Sequence, residues 1–227
     1  GDSGEEYQNV QDGSTYVSFD IPNISFSARL TENQVHGYEW PLGSSVTLTI
    51  DDPDSGVGGD YTDTLTVIEA PWDPNQTFVQ FELGSFVLET GQLVSMSQGW
   101  LIKTHTVTNL VVTTVDPDAD TVSGTADAGT QVDIGHIYCD ETGCYGYRRV
   151  IADTNGDWIA DFAHVGEDSD EQDIIDIKPG MGNEARQCDN DGECTTYGWY
   201  VYNPYVEASP TSDWVHAREW PTGTLMT

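Results

Sequence analysis

The chain has 227 residues, of which 39 are Asp or Glu and seven are Lys or Arg, so its formal net charge is −32. A surface this acidic argues against nucleic acid as a partner, because binding phosphates requires a basic face. It also favours surroundings in which salt or divalent cations screen the repulsion between carboxylates. No stretch approaches the roughly 20 apolar residues of a transmembrane helix, so we expect no membrane span.

The apolar residues lie in short runs rich in β-branched and aromatic side chains, as at 46–50, and these runs predict β-strands. In chain order we expect a strand-like segment at 1–23, domain A at 24–109, domain B at 110–203 and a C-terminal segment at 204–227. Each domain has about the length and turn spacing of a β-sandwich.

The C-terminal segment repeats the start of domain A. Residues 31–47 and 211–227 agree at eight of seventeen positions, where chance would give about one. Residues 12–23 similarly resemble 191–203 with a one-residue slip. We therefore expect a 180-residue repeating unit, with a chain that opens on the tail of one unit and closes on the head of the next. The absence of an initiating Met indicates a processed or excised segment.

A weaker repeat lies within the unit. The pattern V-x-G followed by G-x-x-V occurs at 35–46 and again at 122–132, which predicts two related domains. In domain B, Asn155-Gly156 predicts a tight hairpin of type I′, in which both residues have positive φ. Trp158 and Phe162, on one face of the strand that follows, are predicted core residues.

The runs V-S-G-T-A-D-A-G-T-Q-V at 122–132 and A-D-T-N-G-D-W at 152–158 resemble the bacterial immunoglobulin-like domains that stand in tandem along surface proteins and adhesins. The resemblance covers 109–165 well and 26–108 in outline. It implies an all-β chain of two tandem immunoglobulin-like β-sandwiches with strand-like N- and C-terminal extensions. It also implies a location outside the cell or on its surface, but it does not indicate a ligand.

The four cysteines form two close pairs, Cys139 with Cys144 and Cys188 with Cys194, each flanking a run of turn-forming residues. We interpret both pairs as disulfides at hairpin tips, which favours an oxidising location. A zinc site with four thiolates is the alternative, although the spacing within each pair is longer than that of most such sites.

Calcium is the one cofactor that the sequence suggests, because alternating acidic residues in a loop offer several oxygen ligands within a short reach. Calcium bound at 116–120, near the junction of the two domains, would stiffen the joint, whereas for the run at 153–157 we favour a plain hairpin turn over a calcium site. The acidic run at 167–173 predicts a solvated loop. The candidate ligands are Asp116, Asp118, Asp120, Asp153, Asn155 and Asp157.

Three functions compete. The first is a non-enzymatic structural or adhesive module of an extracellular fibre, stalk or array. In that case the C-terminal segment, with Val215, Trp220 and Leu225, pairs with another copy or a neighbouring repeat. The second is a carbohydrate-binding module, for which seven Trp and eleven Tyr supply aromatic material. The third, a jelly-roll enzyme, is disfavoured by the internal repeat. Asn23 and Asn75 lie in glycosylation sequons.

Overall fold

In the computed structural model, the chain is described at residues 3–10, 13–20, 23–56, 58–135, 137–141 and 143–225. Every regular element in these ranges is a β-strand, and the strand pairings are antiparallel, which confirms the predicted all-β sandwich class. The described part contains no helix long and apolar enough to cross a membrane.

The chain divides into two compact units. Unit 1 comprises Gly1–Val107 together with Cys188–Thr195, and unit 2 comprises Thr108–Gln187 together with Thr196–Thr227. The short segment Cys188–Thr195, called here the tip loop, thus belongs to unit 1 although most of unit 2 precedes it in the chain. The sequence pattern did not predict this discontinuity.

Unit 1 has a sheet in the order β10-β9-β5-β6 and a second group of neighbouring strands in the order β3-β4-β8-β7. Between these layers lies a core that includes Trp40, Leu48, Phe81 and Met96. A separate hairpin, β1–β2, precedes them. The strands are β1 (Ser3–Val10), β2 (Gly13–Asp20), β3 (Ser25–Arg29), β4 (Gln34–Tyr38), β5 (Ser45–Asp51), β6 (Tyr61–Thr66), β7 (Ile68–Ala70), β8 (Asp73–Glu82), β9 (Leu93–Gln98) and β10 (Leu101–Thr106).

Unit 2 has a sheet in the order β11-β12-β17 and neighbouring strands in the order β16-β13-β18. Its core contains Trp158 and Phe162, as predicted, with Leu110, Ile134 and Ile177. The strands are β11 (Val111–Asp116), β12 (Thr121–Thr125), β13 (Gln131–Ile134), β14 (Tyr138–Asp140), β15 (Gly143–Tyr145), β16 (Arg148–Ile151), β17 (Asp157–Asp161), β18 (Gly182–Cys188), β19 (Cys194–Tyr200), β20 (Tyr205–Ser209) and β21 (Trp214–Arg218), the ends of β18 and β19 nearest their turn being part of the tip loop.

The two units share backbone details that correspond to the internal repeat of the sequence. In unit 1 the amide of Gly43 donates to the carbonyl of Val67 at 3.0 Å, and in unit 2 the amide of Gly129 donates to the carbonyl of Ala152 at 3.0 Å. These bonds fix the start of β5 and of β13 against the strand that returns beside them. The weak V-x-G and G-x-x-V echo therefore reflects matching backbone geometry.

A second shared detail lies in the turn of one hairpin of each unit, β3–β4 in unit 1 and β11–β12 in unit 2. Asn33 has a φ of 55°, and its side-chain Oδ1 accepts a hydrogen bond from the amide of Leu88 at 2.9 Å. Asp120 has a φ of 53°, and its Oδ1 accepts from the amide of Ile177 at 2.8 Å. Asn and Asp are the non-glycine residues best suited to this left-handed conformation. In both units this one residue makes the turn and anchors a distant segment.

The predicted type I′ turn at Asn155-Gly156 is wrong. Only Gly156 has a positive φ, 87°, and its amide donates to the carbonyl of Asp153 at 3.0 Å. The amide of Asp153 in turn donates to the carbonyl of Asp157 at 2.8 Å. The connection is therefore a three-residue loop with glycine in the left-handed position. The Asp153 carboxylate accepts from the amides of Asn155 and Asp157 and selects this longer loop.

Candidate functional site

The C-terminal hairpin β20–β21, called here the terminal hairpin, has the same register as β3–β4, called here the first hairpin. In the first hairpin Ser25 lies opposite Tyr38, and in the terminal hairpin Tyr205 lies opposite Arg218, which is the same pair at the 180-residue offset. All five residue pairs of one hairpin map onto the five pairs of the other at this offset. The repeat predicted at 204–227 is thus a repeat of structure.

The unusual backbone conformations of the two hairpins coincide as well. Asn33 and Asp213 both have a φ of 55°, while Glu39 and Glu219 have φ values of 57° and 56°. Positive φ is uncommon outside glycine. Two such matches at the same offset therefore indicate that both hairpins have the same turn conformation and the same backbone conformation after the second strand. A tryptophan ring then closes each hairpin. Its Nε1 donates to the first strand's opening carbonyl, from Trp40 at 3.1 Å and from Trp220 at 3.4 Å.

The two hairpins differ in what lies over their apolar face. Val35 and Trp40 of the first hairpin are fully buried, and both belong to the core of unit 1. Their equivalents in the terminal hairpin, Val215 and Trp220, are 69% and 38% exposed. The same strand pair therefore occurs once with its apolar face covered and once with that face open to solvent.

The third residue predicted for the assembly segment, Leu225, has a different position. It is 86% exposed, but its equivalent in the first copy is Ser45, which is exposed there too. Leu225 thus does not belong to the inward face. Val206, which is 60% exposed and equivalent to the buried Phe26, does belong to it.

The terminal hairpin also has an exposed polar side chain at its turn, at the position where the first hairpin is anchored by a hydrogen bond. Asn33 receives the amide of Leu88 and so ties the first hairpin to the loop before β9. Asp213 has the same φ as Asn33, but its side chain is exposed and accepts no hydrogen bond from any residue that the structure describes. The terminal hairpin therefore offers an apolar face and, at its turn, a carboxylate placed to receive one backbone amide.

The tip loop carries the second notable constellation. The disulfide between Cys188 and Cys194 closes it, as predicted for this pair. Inside the ring, Glu193 is fully buried, and its carboxylate lies 2.9 Å from the Nζ of Lys103. Burial raises the pKa of Glu193, and the neighbouring Lys103 cation opposes that rise. Lys103 also donates to the carbonyl of Asp191 at 2.9 Å.

A buried histidine completes the attachment of the tip loop within unit 1. The Nδ1 of His105 lies 2.8 Å from the carboxylate of Asp189, which can only accept when ionised, so this nitrogen donates. The Nε2 lies 2.9 Å from the Thr195 hydroxyl. The sequence analysis did not identify this network. The available signal was that Lys103 is one of only two lysines in the chain.

The predicted calcium ligands lie in or beside turns, and three of them, Asp116, Asp120 and Asp153, accept hydrogen bonds from backbone amides. Asp116 accepts from the amides of Asp118 and Ala119, and Asp120 accepts from Ile177. Across the described residues no three carboxylate, histidine or cysteine side chains converge in a way that could hold a metal ion. Calcium binding stays a prediction.

In the acidic run at 153–157, hydrogen bonds from the backbone amides of Asn155 and Asp157 lower the pKa of Asp153, in keeping with a turn-forming role. The acidic run at 167–173 is not uniformly solvated, contrary to the prediction, because Glu171 is buried. Its carboxylate accepts from the amides of Arg149 and Glu167.

The remaining predicted residues are dispersed. Asn23 and Asn75 are both exposed, as a glycosylation site must be, and modification stays untested. Among aromatic rings, Trp72 and Trp100 are 56% and 87% exposed and lie on different hairpins. For the Cys139–Cys144 pair, the backbone pairing in β14–β15 is described but the side chains are not, so that disulfide stays a prediction.

No family model matches this sequence, and no curated protein matches it either. Among solved structures, one match is titled "Crystal structure of tetra-tandem repeat in extending region of large adhesion protein", at 14% identity and a TM-score of 0.27. The alignment covers 90% of this chain and 57% of that chain, so this chain spans little more than half of the solved structure's length. At this TM-score the similarity supports no argument about function.

Proposed function

We propose that this chain is a non-enzymatic structural or adhesive module of an extracellular repeat array, and that the terminal hairpin joins it to the next module. One observation carries the proposal: the terminal hairpin reproduces the register, turn and tryptophan closure of the first hairpin, yet exposes the face that the first hairpin buries. Exposed apolar surface of this kind is typical of an interaction site.

The first hairpin shows what covers such a face. Val35 and Trp40 pack in one cluster with Leu48 of β5 and Met96 of β9, in the opposite sheet of unit 1. A sheet of the same kind, supplied by the next module, would bury Val215 and Trp220 and present a backbone amide to Asp213. Joining two modules in this way completes a β-sandwich that contains strands of both. The joint is then held by a packed core and not by a flexible linker.

The disulfide of the tip loop supports the extracellular location, because such bonds persist in oxidising compartments. The large negative charge is compatible with a saline or calcium-rich exterior that screens it. Calcium at the acidic turns belongs to this proposal as an additional stiffening element.

The experiment is a chain extended by one repeat, in which residues 1–224 are followed directly by residues 45–227. If the terminal hairpin begins a sandwich, the added segment folds onto it. Hydrogen exchange at β20 and β21 then slows from the rate of an exposed hairpin towards that of β3 and β4, and the Trp220 fluorescence shifts to shorter wavelength.

A matched control carries Val215→Asp in the same extended chain, because a carboxylate on the inward face prevents burial. This control is expected to keep the fast exchange of the terminal hairpin. If β20–β21 and the added 45–107 segment stay unprotected even when residues 206 and 217 of the extended chain carry the Phe and Gly of the first hairpin, the terminal hairpin is not a joining element.

A further inference from the structure

Within their strands, the inward faces of the first and terminal hairpins differ at two positions. Phe26 of β3 corresponds to Val206 of β20, and Gly37 of β4 corresponds to Ala217 of β21. The terminal hairpin therefore lacks an aromatic ring at one point of the face and carries an extra methyl group at another.

The extra methyl group falls where the covered hairpin has no room. A Cβ built on Gly37 would lie 2.8 Å from the Sδ of Met96 and 2.8 Å from the Cγ1 of Val79, and 3.1 Å from the Trp40 ring. Val79 lies directly opposite Gly37 in the sheet, and valine has few alternative rotamers. Two strands would therefore have to shift before this site could accept the alanine of the terminal hairpin: β8, which lies beside β4 in the same sheet, and β9, which carries Met96 in the covering sheet.

The equivalent position of unit 2 also has no room for a side chain, there because of atoms in the neighbouring strands β11 and β17 of the same sheet. Gly124 is the equivalent of Gly37, and a Cβ there would overlap the carbonyl oxygen of Val111 and lie 2.7 Å from the Trp158 ring. Both covered hairpins thus require glycine at this position. The one uncovered hairpin among the described copies has Ala217.

The replacement of Phe26 by valine at position 206 has the opposite effect, because it removes side-chain volume from the inward face. Phe26 is buried in the core of unit 1, and its ring makes an edge-to-face contact with the imidazole of His105 at a centroid distance of 6.4 Å. Valine at this position would leave a cavity under the same covering sheet, and unfilled core volume is destabilising. The terminal hairpin and the covering sheet of this chain are thus mismatched at two separate points.

Resting on the proposed function, we infer that the partner of the terminal hairpin is a sandwich sheet of a different module and not the corresponding sheet of a second copy of this chain. The partner module has smaller side chains at the positions that correspond to Val79 and Met96. It has larger side chains opposite Val206. Residues 206 and 217 are the specificity-determining positions. They favour joining to a non-identical neighbour over exchange between identical chains, so modules assemble in a defined order.

The test transplants the terminal face into unit 1 of the full-length chain, as Phe26→Val/Gly37→Ala. Amide exchange in β5 and β9 reports opening of the covering sheet, which is expected to increase roughly a hundredfold. The matched control makes the reverse exchange, Val206→Phe/Ala217→Gly, and should leave the exchange in β5 unchanged. A third variant adds Val79→Ala to Gly37→Ala. It should recover part of the protection that Gly37→Ala loses, because it removes a contacting methyl group.

If Phe26→Val/Gly37→Ala leaves the protection of β5 unchanged, this chain's own sheet accepts the terminal face and the inference is wrong. The extended chain separates this failure from failure of the proposed function. There, Val206→Phe/Ala217→Gly should make the added sandwich more resistant to exchange than the natural residues do. An added sandwich that is equally protected with either pair overturns the inference while leaving the joining function intact. An added segment that stays unprotected with both pairs overturns the function itself.

Discussion

Replacing the two equivalent tryptophans, Trp40→Ala and Trp220→Ala, should have very different consequences for the same side chain in the same hairpin geometry. Trp40 is fully buried, donates its Nε1 hydrogen to the Ser25 carbonyl and packs in the core of unit 1. Removing a buried tryptophan typically costs about 3 to 5 kcal/mol. Trp220 makes the equivalent hydrogen bond but is 38% exposed on a face with no covering sheet in the described structure, so its loss should cost at most about 1 kcal/mol.

Amide hydrogen exchange followed by mass spectrometry separates the two effects, because it reports β5 and β20 individually. About 3 to 5 kcal/mol corresponds to roughly two to four orders of magnitude in the opening equilibrium. We therefore expect a loss of that size in the protection of β5 for Trp40→Ala. For Trp220→Ala we expect less than a tenfold change in either strand.

Equal losses in the two variants would refute the reasoning. That result would mean that the terminal hairpin is already covered within the isolated chain, and the exposed face could no longer be assigned to a partner. Trp100→Ala provides a baseline for tryptophan removal, because this side chain is 87% exposed at the turn between β9 and β10.

Three further predictions concern the tip loop, acid stability and calcium. Reducing the Cys188–Cys194 disulfide, or replacing both residues with serine, should lower the stability of unit 1 by about 2 kcal/mol from loop entropy; unchanged melting would show that the ring contributes nothing. Burial is the main cause, and the nearby Arg29 cation the second, of the lowering of the His36 pKa to about 4. The folded state therefore favours the neutral imidazole, and its contribution to the free energy of unfolding is complete above pH 6.5 and is lost as the pH falls towards 4. His36→Asn should remove about 1 to 2 kcal/mol of that pH dependence from unit 1, a figure reduced for solvent screening of the half-buried ring. Denaturant unfolding followed from pH 4 to pH 7 measures it, and a pH profile equal to that of the unsubstituted chain would contradict the assignment. If calcium binds at 116–120, adding it should raise the melting temperature, and a chelator should reverse the rise; identical melting curves with and without the ion would exclude the site.

The features that the sequence predicted well are those encoded by repetition and by alternation of side chains. The 180-residue offset identified 204–227 as a repeat of the start of domain A, because identical residues such as Trp40 and Trp220 favour the same backbone around them. The sequence predicted only a strand-like segment there, and the structure shows a two-stranded hairpin. The four-residue spacing of Trp158 and Phe162 in an extended segment predicted that both face the core, and both are buried there, Trp158 in β17 and Phe162 directly after it. The Cys188–Cys194 pair was predictable because two cysteines that flank a short turn can reach each other.

Features that depend on distant or competing contacts were not predictable. The carboxylate of Asp153 binds two amides and so selects a three-residue loop, overriding the local preference of Asn-Gly. Glu171 is buried because it accepts the amide of Arg149, a contact across 22 residues. The pairing of Lys103 with Glu193 joins residues far apart in the chain, and nothing in the local sequence around either residue indicates it.

The tip loop imposes an order on the folding of the chain during its synthesis. Unit 1 contains the earliest residues of this chain but also residues 188–195, so a ribosome must synthesise the whole intervening segment 108–187 before Lys103 and His105 can meet their partners. Closing a contact over such a distance is entropically costly and slow compared with forming the local hairpins. Until then, Lys103 lacks its buried carboxylate and His105 lacks its hydrogen-bond partners Asp189 and Thr195. The tip loop therefore completes unit 1, and a chain truncated before residue 188 would leave unit 1 as well as unit 2 incomplete.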